Sequence, residues 1–461
     1  MPDISAKGDQ DQWMRRLLIL LTFIATGFIF YRAAGILGWQ NDVTWHTLNG
    51  LEILRTHTIP LTDTWTWKTP GHPWSDAEWL WDLISAWVYL HFGWFGVRIL
   101  VTGIMELLVW VLWRYARSYQ RLTVLITLTL VTVMTWITAT QARPQILSYL
   151  FFAVAVLAVE KARTQHTQRP LWLFLPILIL WNNIHGSAVL WVGLVGLEML
   201  FAKKQYRQYI GIVLVSLAAL MLRPDAFAMV HFVGQQLTPA NLSISEWLSP
   251  NFHQPNRLFI LGYGIALIGY AWGRVTFKDK TWLIFGWVAF FVAQRFFPYA
   301  IILTWVVFVR TFKLPDTASW TGFAKLAVIC ALSVQLISGA SRLNVPFSAP
   351  LEQGAAAYCV AHGIKEVVNE YSMGGTLAFY GIKTIADGRA LWSGEPWFTQ
   401  YASVNLMRDP LPPFLEQEAP NIRAVVWEEG GLGAYQMDHL PGWRKVYDDK
   451  KVGVWQKQSQ L

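Results

Sequence analysis

The sequence is short of charge. Asp, Glu, Lys and Arg make up 14% of its 461 residues, against about 25% in a soluble protein of this size. With 54% hydrophobic residues, that shortage excludes a soluble protein on a single anchor. Cysteine is nearly absent: Cys330 lies in an apolar run and Cys359 beyond it, so nothing suggests a disulfide between them and the redox compartment is not readable. There is no GxxxxGK[ST] loop, no GxGxxG motif and no HExxH pair, so the usual nucleotide and zinc signatures are missing. No small-residue cleavage site follows the first apolar run, which reads as a retained helix and not a signal peptide.

Apolar runs and tryptophan are abundant. The 27 Trp residues suit helices that meet lipid headgroups. The pattern predicts a polytopic α-helical membrane protein with about eleven spans: Leu17–Leu37, Val97–Trp113, Leu122–Ile137, Ile146–Val159, Leu171–Ile184, Ala188–Ala202, Tyr209–Leu222, Leu258–Trp272, Trp282–Ala293, Tyr299–Val309 and Phe323–Leu336. Several are shorter than the roughly 20 residues that cross the hydrocarbon core, so their ends are expected to extend into the aromatic flanks.

Basic residues set the orientation. The N-terminal tail has Lys7, Arg15 and Arg16. Alternate connectors carry Arg114, Arg117 and Arg121; Lys161, Arg163 and Arg169; Lys203, Lys204 and Arg207; Arg274, Lys278 and Lys280; Arg310, Lys313 and Lys325. The intervening connectors are sparser. An excess of Lys and Arg marks cytoplasmic loops, so the N-terminus is expected inside and the C-terminal region outside. The net charge of +8 thereby reports topology, and no nucleic acid is needed to explain it. The segment "WLWDLISAWVYLHF", Trp79 to Phe92, is apolar but short and holds Asp82. If it crossed, every basic triplet would move outside, so it is expected to lie along the outer surface as an amphipathic helix.

Two domains follow. Residues 1–340 form a membrane domain whose large outer first loop spans 38–96. Residues 341–461 form a soluble extracytoplasmic α/β domain, in which "IRAVVWEEG" reads as a strand and its exit turn and "WRKVYDDKKVGVWQK" as a hairpin with "DDKK" at the turn.

With the topology set, the unusual polar residues gather on the outer side: Asp42 and His46 in "NDVTWH"; Asp63, His72, Asp76 and Glu78; Arg143 in "TQARPQ"; Asn182, Asn183 and His185 in "WNNIHG"; Arg223 and Asp225 in "LRPD"; Glu246 in "ISEW"; Arg295 in "QRFFPY". The inner side is expected to show only scattered Lys and Arg. Each residue has a plainer role open to it. Asp42 suits a helix cap, His185 a packing position before Gly186, Arg143 and Arg223 helix entries before Pro, and Glu246 a solvated loop. As a group they suit chemistry. Carboxylates with His serve as a general base and its orienting partner or hold a hard divalent ion, and Arg matches phosphate oxygens. Aromatics suit a sugar face or an isoprenoid chain. A transporter, which should show paired repeats and midplane breaks, and a non-catalytic scaffold in a glycan assembly system are the competing classes.

This layout resembles the GT-C superfamily of membrane glycosyltransferases: protein O-mannosyltransferases, lipid A aminoarabinose transferases and oligosaccharyltransferases. Their cytoplasmic N-terminus and first helix lead into a large outer loop that opens with an Asp-containing motif. "NDVTWHTLNG" takes that place, and Asp42 matches the catalytic acidic position. Arg143 stands where many members carry another acidic motif, so a divalent metal ion is left open. "AEWL", "WNNIHG", "SEW" and "GGTLAFYGIKTIADGR" resemble recurring features of a bacterial subgroup of this fold with poorly defined substrates. The resemblance implies transfer of a sugar from a polyprenyl-phosphate donor, at the outer face of the bacterial inner membrane and among its lipids, to a lipid, glycan or protein acceptor. Asp42 would be the general base, with Glu78 and His185 orienting it or the acceptor. Arg143, Arg223 and Arg295, with Asn183, Asp225 and Glu246, would bind substrate.

Overall fold

The computed structural model describes residues 4–37, 42–202, 205–224, 245–312, 352–389, 391–392 and 395–458. The chain divides into two compact units. One takes the described residues within Met1–Leu37, Arg98–Arg223 and Glu246–Pro346; the other takes those within Gly38–Val97, Pro224–Ser245 and Phe347–Leu461. Residues 38–97, which include the predicted first loop, thus share a unit with the C-terminal residues.

The first unit is helical. Its helices are α1 (Ile4–Leu37), the later part of α3 (Trp79–Ala116), α4 (Leu122–Trp136), α5 (Gln145–Gln165), α6 (Arg169–Leu173), α7 (Leu175–Ile184), α8 (Val189–Met199), α9 (Tyr206–Leu220), α10 (Pro255–Ala271), α11 (Phe277–Val292) and α12 (Phe297–Thr311). Every apolar run predicted as a span falls on these helices except Phe323–Leu336, which lies outside the described residues. Among the described residues, three stretches are long and apolar enough to cross a membrane by length and composition: Arg15–Gly35, Trp79–Ala116 and Gln145–Gln165.

Helix α12 is buried continuously from Phe297 to Val309. Small residues let its neighbours approach, as in membrane helix packing. A Cβ on Gly286 of α11 would come within 2.9 Å of Leu303 Cδ1. Trp287 Nε1 donates to Thr304 Oγ1 at 2.9 Å, satisfying a buried indole.

The basic ends of these helices correct one expectation. In place of scattered cations, Arg163 and Arg310 are knitted into carboxylates. Arg163 Nε donates to Glu198 Oε2 at 2.8 Å and its Nη1 to Asp279 Oδ1 at 3.2 Å. Arg310 donates to Glu160 Oε1 at 2.6 Å and to Asp279 Oδ1 at 2.8 Å. The Arg163 guanidinium also lies 3.9 Å from the Trp282 ring centroid. Helices α5, α8, α11 and α12 each supply a charge. Buried charges persist only when paired and hydrogen-bonded, and here they are.

The second unit holds α2 (Asp42–Thr56), the start of α3, α13 (Gln353–Ala361), α14 (Gly374–Phe379), α15 (Pro396–Asn405), α16 (Leu411–Glu418), α17 (Leu432–Asp438) and four strands. These are β1 (Val368–Asn369), β2 (Ala424–Glu428), β3 (Trp443–Asp448) and β4 (Val452–Lys457), in the order β1-β2-β4-β3, with β1 and β2 parallel and the rest antiparallel. The predicted strand is β2 and the predicted hairpin is β3–β4. Its turn is held by Asp448 Oδ1 accepting from Lys450 N at 2.6 Å and Asp449 Oδ1 from Lys451 N at 2.9 Å, the usual work of Asp in turns.

The first loop joins this sheet domain by backbone pairing. Trp67 N donates to Thr384 O at 3.1 Å, and Thr384 N donates to Trp65 O at 3.1 Å. Trp67 Nε1 reaches Val367 O at 2.7 Å. The stretch α3 is two helices that meet at Gly93, whose φ of 60° and ψ of −162° are non-helical; glycine reaches that φ without a Cβ clash, and the break falls between the predicted segment Trp79–Phe92 and the predicted span from Val97. Cys359 is buried and free.

Candidate functional site

The densest polar cluster among the described residues lies on one face of α2. Asp42, Trp45, His46 and Asn49 stand at helical spacings of three and four, so they share a side. Asp42 is the first helical residue, where a carboxylate meets the positive end of the helix. Its Oδ1 accepts from Trp45 Nε1 at 2.9 Å, and the Trp45 and His46 rings stack at 3.6 Å.

His46 and Asn49 tie this face to the "DAEWLWD" segment. His46 Nδ1 lies 2.5 Å from Asp82 Oδ1, and its Nε2 lies 3.5 Å from Glu78 Oε2. Asn49 Nδ2 spends both hydrogens on carboxylates, donating to Asp76 Oδ2 at 2.6 Å and Asp82 Oδ2 at 2.7 Å. Thr47 Oγ1 and Ser85 Oγ add a contact at 2.8 Å. Gly50 lets the helices close, since a Cβ there would strike the Asp82 backbone carbonyl.

So many carboxylates in little water cannot all stay ionised. Burial, then the Asp82 charge, pushes Asp76 well above the usual carboxylate range, although Glu78 N, His46 and Asn49 oppose the shift. Burial pushes Glu78 up to about 8; His46 opposes this, while Asp82, Asp76 and Asp42 add to it. At neutral pH Glu78 therefore holds a proton and suits a hydrogen-bond donor better than a base.

The "DGR" turn backs the same face. Arg389 is a buried cation, with Nη2 2.5 Å from Asp63 Oδ1 and 2.6 Å from Asp387 Oδ2, and its Cζ 4.0 Å from the Trp65 ring centroid and 4.8 Å from that of Trp74. Burial alone would lower its pKa, but Asp387 and Asp63 outweigh that and raise it. Arg389 holds the first loop to the C-terminal residues. Between Asp387 and Arg389, Gly388 lies against Asp42: a Cβ there would overlap Asp42 Oδ1 and come within 2.8 Å of Trp45 Nε1.

In the helical unit a second cluster forms. Arg143 Nη1 pairs with Glu246 Oε1. Glu246 sits in the turn Ser245–Trp247 and Arg295 in the turn Gln294–Phe296, and the two segments are joined by Gln294 N donating to Leu248 O at 3.0 Å. The Arg295 guanidinium lies 4.2 Å from the Trp247 ring centroid. Burial would raise the Glu246 carboxyl, but Arg143, Arg295 and Arg257 outweigh it and hold it below the usual range. Three guanidinium groups thus act on one carboxylate, a net positive field suited to an anion.

Asn183, Arg223 and His185 make backbone contacts. Asn183 Nδ2 donates to Ile179 O and Leu222 O, both at 2.9 Å. Arg223 Nη1 donates to Asn182 O at 3.1 Å. Together they bind the end of α7 to the end of α9. His185 Nδ1 accepts from Ser187 N at 3.2 Å, capping the turn Gly186–Ala188. Ser187 Oγ in turn receives Tyr299 OH at 3.2 Å. Asp225 lies outside the described residues.

The structure groups Asp42 with Glu78 and, in the helical unit, Glu246 with Arg143 and Arg295, whereas sequence reasoning gathered all of these residues into one constellation. It passed over Asn49, which reads as an ordinary polar helix residue until its i+7 spacing from Asp42 is counted. It noted His46, Asp76 and Asp82 without giving them roles. Among the described residues, no three His, Cys, Asp or Glu side chains form a group that could hold a metal ion.

No protein-family model matches the chain, and no curated protein matches it. The fold is similar to that of the Archaeoglobus fulgidus oligosaccharyltransferase. The apo crystal structure aligns with a TM-score of 0.53 at 11% identity, covering 89% of this chain and 69% of that one. The structure tethered to an acceptor peptide containing the NVT sequon aligns at 0.55 and 11%, covering 90% and 70%. The complex with Zn and sulfate aligns at 0.55 and 10%, covering 88% and 68%. At this identity the likeness shows the fold alone.

Proposed function

We propose that this chain is a membrane glycosyltransferase. It moves a sugar from a polyprenyl-phosphate-linked donor to a lipid, glycan or protein acceptor at the outer face of the bacterial inner membrane. Eleven spans, an inner N-terminus and an extracytoplasmic C-terminal domain belong to this reading. The observation that carries it is the Asp42 carboxylate at the start of α2, beside the buried Glu78–His46–Asp82 cluster, in a fold similar to that of an oligosaccharyltransferase.

In this mechanism Asp42 removes the proton from an acceptor hydroxyl or amine. The freed lone pair attacks the anomeric carbon, and the bond from that carbon to the phosphate oxygen breaks. Polyprenyl phosphate leaves with the bonding pair. Cations fixed before the reaction stabilise that developing charge most effectively, and Arg143, Arg295 and Arg257 are assigned to it. Glu78, holding its proton, orients the acceptor. His185, Asn183 and Arg223 act indirectly, by shaping the helix ends.

The test is transfer by the purified full-length chain, given a panel of polyprenyl-phosphate sugars and a mixed acceptor extract. Donor-dependent product from the wild type and none above background from Asp42→Asn supports the reading. Equal product from both, or from neither, overturns it.

A further inference from the structure

Both ring nitrogens of His46 face carboxylates. Asp82 Oδ1 is 2.5 Å from Nδ1, and Glu78 Oε2 is 3.5 Å from Nε2. The ring is fixed from every side. It is 1% exposed, stacked on Trp45, and its Asp82 partner is held in place by Asn49. A neutral imidazole has one N–H and one lone pair, so it cannot donate in both directions. With Asp82 accepting at Nδ1, either the ring carries two protons, or Glu78 carries one and donates it to Nε2. The two forms differ only in where a single proton lies.

We infer that His46 is a positioning residue for Glu78: Asp82 fixes Nδ1 as the donor side of the ring, and one proton is held in common between His46 Nε2 and Glu78 Oε2. This rests on the reading of Glu78 as the group that orients the acceptor. The groups facing Glu78 are Asp42 and His46 on α2, Asp76 ahead of α3 and Asp82 on it. Asp76, Asp82 and His46 are buried, with Glu78 side-chain exposure of 19%, so the shared proton sits where the cluster opens toward solvent. The upward shift of Glu78 to about 8 agrees with that placement. Groups coupled this strongly titrate as a pair, with apparent values that belong to neither alone.

The arrangement has a consequence that packing alone lacks. If His46 only filled space, its titration would ignore Glu78. If the proton is shared, changing Glu78 moves the His46 titration, and changing His46 moves any limb of the activity profile due to Glu78.

The experiment uses the full-length chain in detergent, with its ten histidines labelled with nitrogen-15 and the His46 signal assigned by its loss in His46→Asn. The expected result is a His46 titration that moves by at least about one pH unit in Glu78→Gln, with Nδ1 protonated throughout. Asp82→Asn should release Nδ1 from that fixed state. If His46→Asn does not fold, the signal that moves in Asp82→Asn serves as the assignment. A His46 titration unmoved in Glu78→Gln overturns the inference. These readouts need no substrate. Absence of transfer by the wild type would count against the proposed function and leave the histidine result standing.

Discussion

Gly388 lies so close to Asp42 that a single added carbon would overlap the Asp42 carboxylate oxygen. The turn that carries it is anchored by Arg389 to Asp63 and Asp387, so it cannot readily retreat. Gly388→Ala should therefore displace the end of the Asp42 side chain and leave the fold nearly intact. Displacement of a reacting group by about 1 Å can cost 10²-fold, so turnover should fall roughly 10- to 100-fold while the thermal midpoint moves by only a few degrees. Unchanged turnover would remove Asp42 from the chemistry.

The Glu78 shift makes stability depend on pH. Its folded value of about 8 lies above the usual 4.5, so between these values the folded state binds more proton than the unfolded one. Stability from this group is fully present below about 4.5 and is lost as pH rises toward 8. Each unit of such a shift corresponds to about 1.4 kcal/mol in the limit, so a decline on the order of 1 kcal/mol per pH unit is expected. Glu78→Gln cannot ionise and should flatten that decline. Thermal midpoints of both proteins from pH 5 to 8 check this, and parallel curves would refute it.

Much of the helical layout was legible because apolar runs are local signals. The β3–β4 hairpin and β2 were legible for the same reason. The polar site was less so. Asp42 and Glu78 stood out as carboxylates beside apolar segments, but the partnership of His46 with Asp82, or of Arg389 with Asp63, joins residues whose neighbourhood depends on the tertiary fold. The segment Trp79–Phe92 was legible as separate from the span that follows it, and the backbone breaks at Gly93 between them. The Arg163–Glu198 and Arg310–Glu160 pairs were hidden because a basic triplet reads as solvated charge, and its acidic partners lie on other helices.

That ionic knot predicts a stability defect unrelated to turnover. Glu198 is 1% exposed, and Arg163→Ala would leave it buried without its main partner. Breaking one side of a buried pair costs about 3–5 kcal/mol. The Arg163→Ala protein should unfold well below the wild type in detergent, and Arg163→Ala with Glu198→Gln should recover part of the loss. No recovery in the double variant would show that the two charges do not act as a pair.

The guanidinium cluster predicts a binding defect. Arg143→Ala and Arg257→Ala each remove positive charge from beside Glu246, and hydrogen bonds to charged groups are worth about 1.5–3 kcal/mol. Polyprenyl phosphate should bind each variant roughly 10- to 100-fold more weakly, and Glu246→Gln should bind it more tightly because the competing anion is gone. Equal affinity in all of these proteins, measured with one labelled polyprenyl phosphate, would place the donor phosphate elsewhere.

The Asp42→Asn exchange separates chemistry from structure most directly. Asparagine keeps the size of the side chain and an oxygen that accepts from Trp45 Nε1, the 2.9 Å contact made by the carboxylate. It cannot take a proton. General-base catalysis contributes about 10²–10⁴-fold, and turnover per folded molecule should fall by that factor. A carboxylate that served only the helix start would instead cost about 1 kcal/mol of stability or less, with turnover per folded molecule preserved. Measuring activity against the folded fraction in the same detergent distinguishes the two. Affinity for polyprenyl phosphate should be unchanged, since that contact is assigned to arginines. Near-normal turnover in Asp42→Asn would exclude Asp42 as the base, and with Glu78 protonated at neutral pH the search would move to carboxylates outside the α2 face.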